Sequence, residues 1–310
     1  MNPLTAKLII TTATLAALAG TPLARAADPE RHEQKNLPAS SGGTLTFKAM
    51  AGAIDLKTHD KDEVTYDAVL KPGDARSGKS SELIDLVEFD YQTADGDVKI
   101  TVRWKDDKQP RNFNLNARHT LVVPSRYNVD VRTAGGGISA EDVNGRVAAR
   151  TSGGSIRFGS VNGPVKAHTS GGSITLEDVT GDAEVETSGG GIKVGNVDGN
   201  VLANTSGGSI QVGTVTGEMK GKTSGGSIEA ELNGQIEKPL ELRTSGGNIN
   251  LSIPADFKAT LNARTSGGKV DCELPVQGTV KRDSISGELN GGGPTVALST
   301  SGGNIKVAKR

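Results

Sequence analysis

The hexamer Thr-Ser-Gly-Gly-Ser-Ile begins at Thr151 and returns at Thr169, Thr187, Thr205, Thr223, Thr244, Thr265 and Thr300, with changes only in its last two letters. Thr133-Ala134-Gly135-Gly136 opens the series. Successive threonines are 18 residues apart from Thr133 to Thr223, then 21 twice, then 35. A fixed period in this range marks a repeat architecture in which each unit packs on its neighbours. Each unit has a half-period: Gly154-Ser155-Ile156-Arg157-Phe158 is echoed nine residues later by Gly163-Pro164-Val165-Lys166-Ala167. One unit is therefore two strands and two corners.

Alternation assigns the faces, because side chains along a strand point alternately to opposite sides. One inward row holds Ile156, Ile174, Ile192, Ile210 and Ile228, and a second holds Phe158, Leu176, Val194, Val212 and Ala230. The opposing strand supplies Val147, Val165, Ala183, Val201 and Met219, then Ala149, Ala167, Val185, Ala203 and Gly221. Every row stays apolar or tiny. Coils stacked at about 4.8 Å close a narrow core between these faces, and eight of them make a stack of roughly 34 Å. The reading is an all-β chain: a β-solenoid of about 18-residue coils, two strands per coil, preceded by a β-rich segment. An antiparallel meander would also explain nine-residue strands joined by Asn-Gly turns. It does not explain why residue identity recurs at 18.

The Gly-Gly pair is expected to turn the corner through positive φ, at Gly171 or Gly172 for example. Val-x-Gly at Val143, Val161, Val179, Val197 and Val215 repeats the device with one glycine. The repeat threonine falls on the inward parity, where its hydroxyl can bond the turn backbone.

The rest of the chain sets the compartment and the divisions. Lys7 precedes the apolar run Leu8–Gly20, and Ala24-Arg25-Ala26 fits a leader-peptidase site, so residues 1–26 read as a signal peptide and Ala27 as the mature N-terminus. The run is too short to span a bilayer, which takes roughly 20 apolar residues, and nothing later is apolar enough. Removing Lys7 and Arg25 takes the net charge from −1 to −3, which argues against nucleic acid as a partner. Cys272 is the lone cysteine, so no internal disulfide forms and no cysteine at the cleavage site carries a lipid. Residues 27–43 read as a flexible segment, 44–131 as a β-rich aromatic-containing segment, and 132–310 as the repeat solenoid. The aromatic residues support that division: Phe47, Tyr66, Phe89, Tyr91, Trp104, Phe113 and Tyr127 precede residue 130, and only Phe158 and Phe257 follow.

Chemistry finds little purchase. A phosphate loop needs a helix after its glycines, and strands follow here. Calcium β-rolls carry an aspartate in every turn, where this chain has Ser, Arg, Thr or Lys. His32, His59, His119 and His168 sit in four unrelated contexts without metal spacing, and the corner serines have no paired base. The acidic pairs Glu141-Asp142 and Glu177-Asp178 recur two coils apart, roughly 10 Å, and read as solvated corners. No metal, cofactor or catalytic residue is assigned. The alternative from another class is a polysaccharide-active β-helix enzyme, which would need converging carboxylates in a cleft.

The repeated T-S-G-G-[SGNK]-[IV] with Val-x-Gly midway, the entry Val123-Pro124-Ser125-Arg126-Tyr127, and Leu289-Asn290-Gly291-Gly292-Gly293 before the last repeat together resemble the bacterial putative-adhesin family. The resemblance covers roughly residues 44–308. It implies an extracytoplasmic β-strand-repeat domain of unknown function and an adhesin-like scaffold, and it supplies no catalytic residues. Ile253-Pro254-Ala255-Asp256-Phe257 repeats the pattern of the entry segment, and both aromatics read as plugs sealing a wider coil.

One outward row remains. The residue before each repeat threonine is Arg132, Arg150, His168, Glu186, Asn204, Lys222, Arg243 and Arg264 in turn. The plain reading is a solvated strand face whose charges protect an edge. The functional reading is a line that contacts an anionic polymer, such as lipopolysaccharide phosphate or an acidic glycan, through Arg132, Arg150, His168, Lys222, Arg243 and Arg264. The chain is thus read as an exported, non-enzymatic interaction or structural protein of the bacterial envelope, in the periplasm, on the surface or secreted.

Overall fold

The computed structural model describes residues 30–73, 84–107 and 114–310; the expected leader and its cleavage site lie outside them. The described elements are strands apart from the 3-10 turn Lys105–Asp107, and no helix among them is long and apolar enough to cross a membrane. The repeats form stacked coils. Strand Val147–Thr151 pairs in parallel with Val165–Thr169, and Ile156–Phe158 with Ile174–Leu176, each residue lying over its counterpart 18 positions on. These belong to a 14-stranded and a 13-stranded sheet respectively.

A third side was not visible in the repeat pattern. Val143–Asn144 and Val161–Asn162 pair in parallel, and bridges from Val161 to Val179, Val179 to Val197 and Val197 to Val215 continue the line. What reads as the second corner is thus a short strand or bridge followed by a corner glycine, and the coils from Val143 to Val215 are three-sided. Its valines add a further buried inward row to the rows expected at Ile156, Phe158, Val147 and Ala149, all of which are buried.

The Gly-Gly corner needs glycine for a different reason from the one expected. Positive φ is found at Gly145 (148°) and Gly163 (150°) in the one-glycine corners, whereas Gly171 and Gly172 have none. At the second glycine of the pair, space is what excludes a side chain: a Cβ on Gly172 would stand 2.1 Å from the Gly154 carbonyl oxygen of the coil below. At the first glycine it would stand an ordinary 3.4 Å from Gly153 O. Close backbone approach between coils therefore fixes the second letter of the pair.

The repeat threonine of each following coil bonds the carbonyl of this second glycine. Thr187 Oγ1 donates to Gly172 O at 2.8 Å and accepts from Gly190 N–H at 3.4 Å. The same bond runs from Thr133 to Gly52, Thr151 to Gly136, Thr169 to Gly154, Thr205 to Gly190 and Thr223 to Gly208, each at 2.8 Å. A buried threonine per coil thus staples it to the preceding one through a carbonyl that has no ladder partner of its own at the corner. Thr187→Val keeps the shape and leaves that carbonyl without its donor. It is expected to lower unfolding free energy by about 1–3 kcal/mol, the desolvation cost of a buried unpaired polar group, while Thr187→Ser loses less. Denaturant unfolding of the two variants checks this order.

Both ends depart from chain order. Thr44–Ala49 and Ala53–His59 form a coil beneath Asn128–Thr133 and Ile138–Ala140, with Leu45 under Val129, Phe47 under Val131 and Ile54 under Ile138. Pairing therefore runs across residues 131 and 132 without a break. The chain between leaves the stack and returns over it. Leu115–Pro124, Glu63–Pro72 and Arg31–Pro38 extend one sheet, and Asp97–Trp104 and Val87–Ala94 extend the other. Phe47, Tyr66, Phe89, Tyr91 and Trp104 fill this broad end. At the far end, Thr295–Thr300 inserts between Leu240–Arg243 and Ala259–Thr265, and Ile305–Lys309 between Ile249–Ile253 and Val270–Cys272. The 35-residue spacing is the detour that makes the hairpin Val276–Val280 and Ser284–Leu289 before threading back. Tyr127 and Phe257 are both buried, and Tyr127 OH donates to Gly96 O at 2.6 Å.

Candidate functional site

The acidic pairs are structural. Asp142 Oδ1 accepts the Ser160 N–H at 3.1 Å, and Asp178 Oδ1 accepts Asn196 N–H at 3.3 Å and Nδ2 at 3.0 Å, so each carboxylate ties its coil to the next. Asp182 does the same for Asn200, and Asn200 Oδ1 then accepts from Glu218 N–H. A cleft of about 1140 Å³ opens at the broad end, and among its described lining residues the charged ones are Lys71 and Arg118. Among the described residues no group of three or more His, Cys, Asp or Glu side chains gathers as a metal site would.

The four histidines are dispersed. His32 contacts Glu30, His59 Nε2 meets Glu63 O, and His168 lies 3.6 Å from Glu186. His119 is fully buried, with Nε2 donating to Ala51 O at 2.9 Å and Nδ1 3.0 Å from the Tyr66 hydroxyl, which donates to it. Desolvation pushes its pKa down to about 4, and pushes the Tyr66 hydroxyl up. This pair joins the cap strands to the first coil.

The outward row is in register on the 14-stranded sheet. Arg150 lies between Arg132 and His168, followed by Glu186, Asn204, Lys222 and Arg243. Two members come from the altered strand order. Lys48 of the first coil lies beside Arg132, and Ser299 of the inserted coil separates Arg243 from Arg264. The six candidates therefore do not make one continuous cationic line. Glu186 and Asn204 divide them into a block of Lys48, Arg132, Arg150 and His168 and a looser block of Lys222, Arg243 and Arg264.

Ion pairs sharpen the contrast. Arg132 is bound by Asp130, which raises the guanidinium pKa, and Arg243 is bound by Glu241 on its own strand. Lys166 pairs with Glu184 and Lys220 with Glu218 on the neighbouring rows. Lys48 and Arg150, both exposed, flank the Arg132–Asp130 pair on either side. At about 4.8 Å per strand, the first block is a ledge of roughly 14 Å whose cations outnumber its acids. Lys48 escapes a sequence search because its coil lacks the Thr-Ser-Gly-Gly signature.

A family model described as Toastrack DUF4097 matches residues 95–308, well over half the chain. The chain belongs to the Toastrack DUF4097 family. The match begins after the first coil, so the Toastrack model leaves Lys48 outside while covering the other row residues. Similar solved structures include a putative adhesin from Parabacteroides merdae, at 12% identity and a TM-score of 0.43, covering 90% of this chain and 97% of that one. A putative adhesin from Bacteroides fragilis matches at 11% identity and a TM-score of 0.40, and a putative lipid binding protein from Parabacteroides distasonis at 14% and 0.41, both with the same coverage. No curated protein matches this Toastrack chain.

Proposed function

We propose that this Toastrack protein is an exported, non-enzymatic interaction protein of the bacterial envelope, and that its ledge of Lys48, Arg132, Arg150 and His168 holds an anionic polymer, of the class of lipopolysaccharide phosphate or acidic glycan. Export rests on the leader pattern ending at Ala26. The observation that carries the binding role is the registered stack of four basic side chains on adjacent strands, with Lys48 and Arg150 flanking one internal ion pair. A rigid parallel sheet repeats cations at a fixed step, which matches a chain of repeated negative groups better than a single small anion. The more distant Lys222, Arg243 and Arg264 extend the contact for a longer polymer.

Exposed contacts of this kind are worth about 1 kcal/mol or less each, so binding is weak per site and cumulative. It should fall steeply toward about 0.5 M salt, where the screening length drops below about 5 Å. The test is retention on lipopolysaccharide or acidic-glycan beads. Lys48→Glu with Arg150→Glu should abolish retention at low salt with an unchanged unfolding midpoint. Arg157→Glu with Lys193→Glu, on the outward face of the other sheet, should leave it intact. Equal loss in both pairs, or retention indifferent to salt, overturns the assignment to the ledge.

A further inference from the structure

The two large sheets have four outer strands, and three of them carry features that block further pairing. Arg31–Pro38 holds Arg31, His32, Glu33, Lys35 and Pro38; Val87–Ala94 holds Glu88 and Asp90; Val270–Cys272 is three residues long and includes Asp271. Charges, proline and shortness are the usual protections of a sheet edge. The fourth, Val276–Val280, reads Val-Gln-Gly-Thr-Val, with neither charge nor proline. It lies at the end of the 14-stranded sheet, and Val280, 60% exposed, is the one large hydrophobic residue fully in the open among the described residues.

Its backbone is half used. Lys281 N–H donates to Ser284 O at 2.8 Å and closes the hairpin to Ser284–Leu289. Alternation then turns the N–H and C=O of Gln277 and Thr279 toward that partner strand and those of Val276, Gly278 and Val280 away from it. The outer side therefore presents three donors and three acceptors in a row. The strand is also near-palindromic about Gly278. Laid antiparallel against itself, Val276 meets Val280, Gln277 meets Thr279, and Gly278 meets Gly278.

We propose that Val276–Val280 is a self-association edge, occupied by the same strand of a second copy across a two-fold axis at Gly278. Parity and symmetry agree: the residues whose backbone faces outward are those that would face each other in hydrogen-bonded pairs, giving about six N–H···O bonds. On the apolar side Val276 and Val280 of each copy continue the floor made by Leu289 and Ile285, their own neighbours across the hairpin. The contact is isologous and closes as a dimer without propagating, because the edges at the opposite end are charged. It joins two solenoids end to end with their basic ledges on one continuous sheet, and it stands independently of what those ledges bind.

Five paired residues make a small interface, so the dimer should be weak and dependent on concentration. Sedimentation equilibrium of the purified protein from low micromolar to millimolar should show a monomer–dimer equilibrium. Val280→Lys, which places a charge on the inner face of the edge, should raise the dissociation constant by about tenfold or more. Hydrogen exchange on the unaltered protein locates the contact without any variant: the amides of Val276, Gly278 and Val280 should slow as concentration rises, and those of Gln277 and Thr279 should not change. A monomer at millimolar concentration overturns the proposal. So does a dimer whose formation leaves those three amides unprotected.

Discussion

Gly172→Ala is expected to lower the unfolding free energy by about 3 kcal/mol or more, at the upper end of overpacking substitutions, while Gly171→Ala stays within about 1 kcal/mol. The two positions share sequence context, exposure to the same corner and the absence of positive φ. They differ in what lies below. The added methyl at residue 172 meets Gly154 O at 2.1 Å and the Gly154 carbonyl carbon at 2.4 Å, backbone atoms that move only if the coils separate. Separation also stretches the Thr169 bond to Gly154 O and the flanking ladder between Ile156 and Ile174. At residue 171 the methyl has ordinary contact. Chemical denaturation of both variants decides the point; equal midpoints would show that the corner, and not the stacking, sets the requirement.

The second large effect is pH-dependent and belongs to His119. Its folded-state pKa is about 4, below the ordinary value of 6.5, because burial disfavours the charged ring. Between those values the unfolded chain binds a proton that the folded protein does not. Stability from the neutral ring is therefore complete above about pH 6.5 and declines as pH falls toward 4, at about 1.4 kcal/mol per unit and about 3 kcal/mol in all. Protonation would oppose the donated Tyr66 hydroxyl at Nδ1 and place a cation between Phe47 and Tyr66, whose rings lie 5.2 and 6.1 Å away. His119→Gln, uncharged throughout, should have a lower midpoint at neutral pH and a shallower decline between pH 6.5 and 4. Parallel declines in the two proteins would assign the acid sensitivity elsewhere.

The middle of the molecule was legible because its signals are local. An 18-residue step with Ile over Ile and Thr over Thr can be written down from the letters, and parallel in-register stacking is the arrangement that satisfies it. The third side was not, since Val161-Asn162-Gly163 is too short to show alternation and looks the same as a turn. The first coil was hidden for a chemical reason. Met50-Ala51-Gly52 stands where other coils have Ser-Gly-Gly, yet Gly52 O still accepts the Thr133 hydroxyl at 2.8 Å, and a Cβ on Gly136 would still fall 1.9 Å from Gly52 O. One glycine carbonyl suffices for the stacking contact, so the hexamer is not needed to make a coil. That substitution concealed Lys48 and with it the densest part of the basic row.

Strand order at the far end could not be read at all. Nothing in Thr295–Thr300 states that it lies between residues 243 and 264 in space, because any coil with the same inward valine and leucine fits either slot. The consequence for the row is concrete: Ser299 interrupts the pair Arg243 and Arg264 that the sequence placed side by side. Positive φ at the Gly-Gly corner was expected from the usual role of glycine in turns, and the competing cause, contact between backbones of successive coils, becomes visible only when the coils are stacked.

The most direct measurement of the proposed binding role is a residue-resolved titration of the isotope-labelled protein with a soluble lipopolysaccharide core oligosaccharide bearing phosphate. The amide signals of Lys48, Arg132, Arg150 and their strand neighbours should shift together at low salt and return toward their free positions when salt is raised. Those of Arg157, Lys193 and Lys306 on the opposite sheet should stay in place. Shifts centred on the opposite sheet, or spread evenly over both, would contradict the ledge as the binding surface.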